Sequence, residues 1–227
     1  MKKDLTQLIL VVDKSSSMSN ARMTTISGLK EFVDTQKQLP GEALLTYITF
    51  STDYKVEFEN KNIKDVDCSI FDEYRTTGCT ALLDAIGIAI DSVGNRLYEM
   101  DESNRPEKVM MIILTDGEEN SSKEYKIKQI KEKVKHQESV YKWEFLFLGA
   151  DIDAISAGSS INMSKSVKVN KFDMGSNLKK ASVYTGSYRG SDINDSTSLF
   201  NTVSTEFFSY SDDQLNTEVE NLKNAKS

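Results

Sequence analysis

The chain has 227 residues, enough for one α/β domain with an ordinary core, so several domains are not required. Its 35 acidic and 28 basic residues leave a formal net charge of −7, which argues against a general binder of polyanions. Hydrophobic residues make up 38%, and no apolar run approaches the roughly eighteen residues that span a bilayer, so a soluble chain is expected. Met1-Lys2-Lys3 has the basic head of a signal peptide, but the apolar stretch behind it is short and runs straight into Asp13. It reads as a strand. Cys68 and Cys79 can pair, yet two cysteines make no framework, and reduced thiols in a cytoplasmic protein are the expectation.

Leu8-Ile9-Leu10-Val11-Val12 is an all-apolar run, the pattern of a strand buried on both faces, and it ends abruptly in Asp13. Ser15 and Ser17 follow at alternate positions. The spacing of Ile26, Leu29, Phe32 and Val33 predicts a helix over 21–39, with Gly28 permitting close packing on a sheet and Pro40-Gly41 stopping it. Strands are predicted over 43–50 and 54–58, antiparallel across the short Ser51-Thr52-Asp53 turn. Residues 63–74 are weakly patterned, a short helix plus loop. Thr80 opens a long helix with the apolar stripe Leu82, Leu83, Ile86, Ile90, Val93 and Leu97. Pro106 precedes the most hydrophobic strand, 109–114, which ends in Thr115-Asp116-Gly117-Glu118-Glu119, again a carboxylate just past a strand tip.

A third amphipathic helix is predicted over 122–137 and a strand over 143–148. Beyond these come a short helix over 151–159, a small edge strand over 167–169, and helices over 177–185 and 196–208. A loop over 188–198 and a polar, fraying tail complete the chain. Strands separated by long helices imply an α/β fold: a doubly wound, mostly parallel sheet with helices on both faces and one short antiparallel edge strand. The domain core is expected over 1–170, with 171–227 a helical and loop extension packed on it.

Ligands of such sheets sit beyond the carboxyl ends of the strands. If the strands ending in Asp13 and Asp116 are neighbours, about 4.8 Å apart, their tips bring two carboxylates to one crevice. Ser15 and Ser17 add hydroxyls. Thr80, in the glycine-containing turn Thr76-Thr77-Gly78-Cys79-Thr80, offers another, as a helix cap or as a ligand. Two carboxylates neutralise a divalent cation, and three hydroxyls complete much of its shell, which is hard-oxygen chemistry suited to Mg²⁺.

This arrangement resembles the von Willebrand factor type A domain and its metal-ion-dependent adhesion site. The family pattern is Asp-x-Ser-x-Ser, a distant Thr, then an Asp in a Thr-Asp-Gly turn. It is matched by Asp13-Lys14-Ser15-Ser16-Ser17, Thr80 and Thr115-Asp116-Gly117, with Met18 following as usual and Ser16 standing where a glycine is customary. The likeness spans roughly residues 5–170 and is greatest to stand-alone bacterial and phage type A proteins, including relatives of tellurite-resistance accessory proteins. It implies that Ser15, Ser17 and Thr80 bind Mg²⁺ (Mn²⁺ or Ca²⁺ in its place) through hydroxyls, with Asp13 and Asp116 acting largely through waters. It further implies that an Asp or Glu of a protein partner takes the vacant position, and that such domains often couple binding to movement of the Asp116 loop and a C-terminal helix.

Other readings of the residues are weaker. Glu118 and Glu119 are close enough in sequence to approach a cation, but a solvated acidic rim is expected; Asp53 and Asp84 read as a turn residue and a first-turn helix residue. The sole histidine, His136, reads as a solvated surface residue and gives Ser15 or Ser17 no base. No phosphate-binding glycine loop or dinucleotide fingerprint is present. Lys123, Lys126, Lys128, Lys131, Lys133 and Lys135 are interleaved with glutamates and read as a solvated face, not a nucleic-acid patch. Trp143, Phe145 and Phe147 read as core. The expectation is a monomeric, cation-dependent protein-binding module with no membrane or nucleic-acid partner, and not an enzyme. The alternatives are an accessory metal-dependent phosphoester or nucleotide hydrolase, or a structural component with a vestigial site.

Overall fold

Six strands pair in the order β3-β2-β1-β4-β5-β6. They are β1 (Lys2–Asp13), β2 (Glu42–Phe50), β3 (Tyr54–Asn62), β4 (Pro106–Thr115), β5 (Glu144–Gly149) and β6 (Ser166–Lys168) in a computed structural model. The structure describes residues 1–117, 119–150, 152–163, 165–170, 173–191 and 209–224. Among the described strands only the β2–β3 pair is antiparallel; β1 pairs in parallel with β2 and β4, and β5 with β4 and β6. The described α-helices are α1 (Arg22–Gln38), α2 (Leu82–Glu99), α3 (Ile127–Tyr141), α4 (Ile152–Ser160), α5 (Met174–Gly190) and α6 (Asp212–Asn224).

The continuous apolar runs of β1 and β4 follow from burial on both sheet faces. Leu8, Leu10 and Val12 join Met110, Ile112 and Leu114 in a core closed by Leu29, Phe32 and Val33 of α1 and Leu178 and Tyr184 of α5. On the opposite face Ile9 and Val11 join Met111 and Ile113 under Ile86, Ile90 and Val93 of α2 and Ile130 and Val134 of α3. The expected doubly wound α/β sheet is what forms. The outer strand β3 alternates Lys55, Glu57, Glu59 and Lys61, charges that blunt an open edge. From β1 the chain goes through α1 to β2 on one side, then returns through α2 to β4 on the other. This strand reversal opens a crevice at the carboxyl ends of β1 and β4.

Several features differ from the sequence pattern, and two helix boundaries do so for a polar reason. The helix expected over 122–137 starts only at Ile127, because the backbone N–H groups of Lys123, Glu124 and Tyr125 donate to the Asp84 carboxylate instead (2.7, 2.9 and 2.8 Å). Helix α5 runs on through Tyr188–Gly190, part of the expected loop, because the Lys108 ammonium donates to the carbonyls of Tyr188 (3.0 Å), Arg189 (3.1 Å) and Ser191 at its end. Gly28 gives room to α5 and not to the sheet: a Cβ there would lie 2.8 Å from Leu178 Cδ1 and 3.0 Å from Gly175 Cα. Residues 216–224 of the last dozen, expected to fray, belong to α6, whose Leu215 just before them is buried in the α1–α5 core. Residues 63–74 form two short 3₁₀ turns, Ile63–Asp65 and Cys68–Glu73. The helix expected over 196–208 lies outside the described residues.

Between α1 and α5 the buried Arg189 guanidinium donates to Gln36 O and Oε1 (2.8 and 3.0 Å) and to the carbonyls of Pro40 and Gly41 (3.2 and 3.1 Å). It thereby serves the carbonyls left open where α1 ends. Burial pushes its pKa down to about 10. Among the described residues no helix is long and apolar enough to cross a membrane.

Candidate metal centre

Strand register decides where the two carboxylates meet. Val12 pairs with Leu114, so Asp13 and Thr115 leave the sheet side by side. Thr115 Oγ1 donates to Asp13 Oδ2 at 2.6 Å and the Ser15 N–H donates to Asp13 Oδ1 at 2.6 Å, which fixes the carboxylate at both oxygens. Ser17 Oγ donates to Asp116 Oδ1 at 2.6 Å, and the Ser15 and Ser17 hydroxyls lie 2.9 Å apart. Asp13, Ser15, Ser17 and Asp116 thus form one hydrogen-bonded chain. All are buried except Ser17, which opens the cluster to solvent.

Thr80 reaches the same place through a gap above Gly117. A Cβ on Gly117 would lie 3.4 Å from Ser17 Oγ and 3.5 Å from Thr80 Oγ1, ordinary contact distances, so both hydroxyls border the space beside this glycine. The structure therefore brings together all five residues singled out from the sequence. The residue preceding α2 is Ala81, without a side-chain capping bond, and the first turn of the helix is served instead by Glu119 and Ser122, which accept from the N–H groups of Leu83 (2.9 Å) and Asp84 (3.1 Å).

Backbone zippering holds the loops in place. The Ser16 N–H donates to Gly78 O (3.0 Å), and the Thr77 N–H to Lys14 O (2.7 Å). Gly78 has φ +80°, and a Cβ there would come within 2.7 Å of Thr52 Oγ1, so this turn needs glycine on both counts. The Tyr74 hydroxyl donates to the Asp13 carbonyl from below. Glu119 departs from the expected solvated rim: its carboxylate accepts from the N–H groups of Leu83, Ser121 and Ser122. Glu118 lies outside the described residues.

Burial is the main influence on Asp13. It pushes the acid up to about 6, with the nearby Asp116 charge adding to the rise, while the bonds from Thr115 and Ser15 pull it down. Two carboxylates sharing a poorly solvated crevice favour a cation there. The donors are oxygens only, and among the described residues no group of three or more His, Cys, Asp or Glu gathers to hold a metal. Two carboxylates with three hydroxyls fit a hard cation that retains waters, and do not fit a thiolate or imidazole cage. His136 sits at the other end of the sheet, beside a cavity bordered by Pro106 at the start of β4, with its ring edge-on to Tyr141 at 5.4 Å.

Solved structures with this fold include proximal thread matrix protein 1 from the mussel byssus, with a TM-score of 0.58 and 17% identity over 80% of this chain and 47% of that one. Another structure of that protein, with a zinc-occupied MIDAS motif, gives a TM-score of 0.55 and 18% identity over 80% of this chain and 47% of that one. A von Willebrand factor type A protein from Catenulispora acidiphila gives 0.56 and 12%, covering 80% of this chain and 42% of that one. The chain thus spans about half the length of these proteins, and at such identities the likeness is one of fold. A comparison with curated proteins found no match.

The expected cytoplasmic location is not upheld: the structures that share this fold include a matrix protein of the mussel byssus. The thiol argument behind that expectation carries no weight: Cys68 and Cys79 are both free, and two free thiols do not mark a compartment. The von Willebrand factor type A domain family matches residues 7–185, the stretch from the first strand through most of α5. With that match over most of its length, and with the sheet order and crest just described, the chain belongs to the von Willebrand factor type A domain family.

Proposed function

We propose that the crest binds a divalent cation, Mg²⁺ with Mn²⁺ or Ca²⁺ as substitutes, and through it an acidic side chain of a partner protein. The observation that carries this reading is the meeting of Ser15, Ser17 and Thr80 hydroxyls with the Asp13 and Asp116 carboxylates around the gap at Gly117. In this reading Ser15, Ser17 and Thr80 would hold the cation through their hydroxyls, and Asp13 and Asp116 would supply the balancing charge. When bound, the cation would supply a Lewis-acidic position for an outside oxygen. Thr115 and the Ser15 N–H keep Asp13 oriented, and the exposed Ser17 lies at the point of entry.

A binding module suits the chemistry better than an enzyme. Glu119 is committed to backbone and hydroxyl donors, and His136 is at the far end of the sheet, so neither is placed as a general base at the crest. Water-proton relaxation with Mn²⁺ tests the reading. The wild type is expected to enhance relaxation through exchanging bound waters, to lose part of the enhancement as acetate is added, and to lose all of it in Asp116→Ala. Equal Mn²⁺ affinity in the wild type and Asp116→Ala would overturn it.

A further inference from the structure

Residues 119–126 follow the Asp116 turn without regular structure, yet their polar groups are committed to α2 over 36 to 41 residues of sequence separation. Asn120 brackets Thr80: its Oδ1 accepts the Thr80 N–H at 2.9 Å, and its own N–H donates to Thr80 O at 3.0 Å. One Glu119 carboxylate oxygen accepts the Leu83 N–H (2.9 Å) and Ser122 Oγ (2.7 Å); the other accepts the N–H groups of Ser121 (3.0 Å) and Ser122 (2.7 Å). A carboxylate over the first turn of α2 satisfies an otherwise open N–H and suits the positive end of the helix.

The exchange is reciprocal. Asp84 of α2 sends its carboxylate to the N–H groups of Lys123, Glu124 and Tyr125. Tyr125 then lies on Gly87, where a Cβ would come within 2.6 Å of its ring, and its hydroxyl donates to Asp91 Oδ2 at 2.7 Å. Positions 84, 87 and 91 share one face of the helix. The segment is therefore fastened to Thr80 and, along about two turns of α2, from Leu83 to Asp91.

We propose that Asn120, Glu119 and Asp84 are positioning residues that clamp the Asp116 loop to the helix end carrying Thr80, so that the cation site stands preformed. This rests on the cation-binding reading of the crest. Asp116 and Thr80 belong to different loops, and free movement of either would change their separation. The clamp joins them into one body, and the site takes its cation without a swing of the Asp116 loop.

Amide hydrogen exchange and Mg²⁺ titration calorimetry on the full chain test this, using Asn120→Ala, Asn120→Asp and Glu119→Gln. In the wild type the Thr80 and Leu83 amides exchange slowly and at the same rate with and without Mg²⁺. Asn120→Ala speeds exchange at Thr80, and Glu119→Gln at Leu83. Each weakens Mg²⁺ binding about 10- to 100-fold, as the loss of a group orienting a metal ligand does, with little change in urea midpoint. Asn120→Asp keeps an oxygen for the Thr80 N–H and restores both readouts. Protection of these amides only after Mg²⁺ is added would overturn the preformed site. Unchanged Thr80 exchange in Asn120→Ala would overturn the clamp alone, whereas a wild type that takes up no Mg²⁺ would overturn the cation reading and the positioning role with it.

Discussion

Asp13 bears the heaviest electrostatic cost at the crest, because it is fully buried and its acid is held up at about 6 against an ordinary 3.8. The folded chain therefore holds this proton more tightly than the unfolded chain does. Its stabilising contribution is complete below about pH 4 and is lost as pH rises through about 6. In chelator, Asp13 should cost roughly 1 kcal/mol of stability between pH 5 and pH 7. Urea melts should show this slope in the wild type, a flatter one in Asp13→Asn, and recovery at pH 7 with Mg²⁺ in the wild type only. Identical slopes for wild type and Asp13→Asn would show that burial does not perturb this acid. The five candidate ligands were legible because strand tips and a glycine turn mark them locally. Glu119, Asn120 and the tethering by Asp84 were not, since their partners lie 36 to 41 residues away and polar loop residues look solvated when read alone.

Among the elements, strands and amphipathic helices followed their hydrophobic period, and two helix boundaries that moved were set by side chains from elsewhere. Helix α3 starts late because Asp84 takes the donors that would begin it, and α5 runs long because Lys108 serves its end. A lysine near the start of the strand reads as an edge charge, and nothing in its neighbours signals a helix end 80 residues on. Lys108→Met should remove those bonds while keeping the stem, lowering stability by about 1–3 kcal/mol in urea melts and leaving Mg²⁺ affinity unchanged. An unchanged midpoint would mean that the carbonyls at the end of α5 do not depend on this ammonium. Helix α6 escaped notice because its composition is polar and its anchoring rests on few apolar residues, chiefly Leu215.

For the whole molecule, alternating strands and helices were sufficient to read a doubly wound α/β sheet, but not the full strand order. That order matters because the reversal between β2 and β4 about the central β1 sets Asp13 and Asp116 at one crevice. The crest is separated by the length of the strands from the cavity beside His136, so substitutions at that end provide controls that leave the candidate site intact. The measurement that tests cation binding most directly is anomalous X-ray diffraction from crystals grown with Mn²⁺. One strong peak is expected within coordinating reach of the Ser15, Ser17 and Thr80 hydroxyls, absent from crystals of Asp116→Ala. A peak elsewhere, or none at the crest at saturating Mn²⁺, would contradict it.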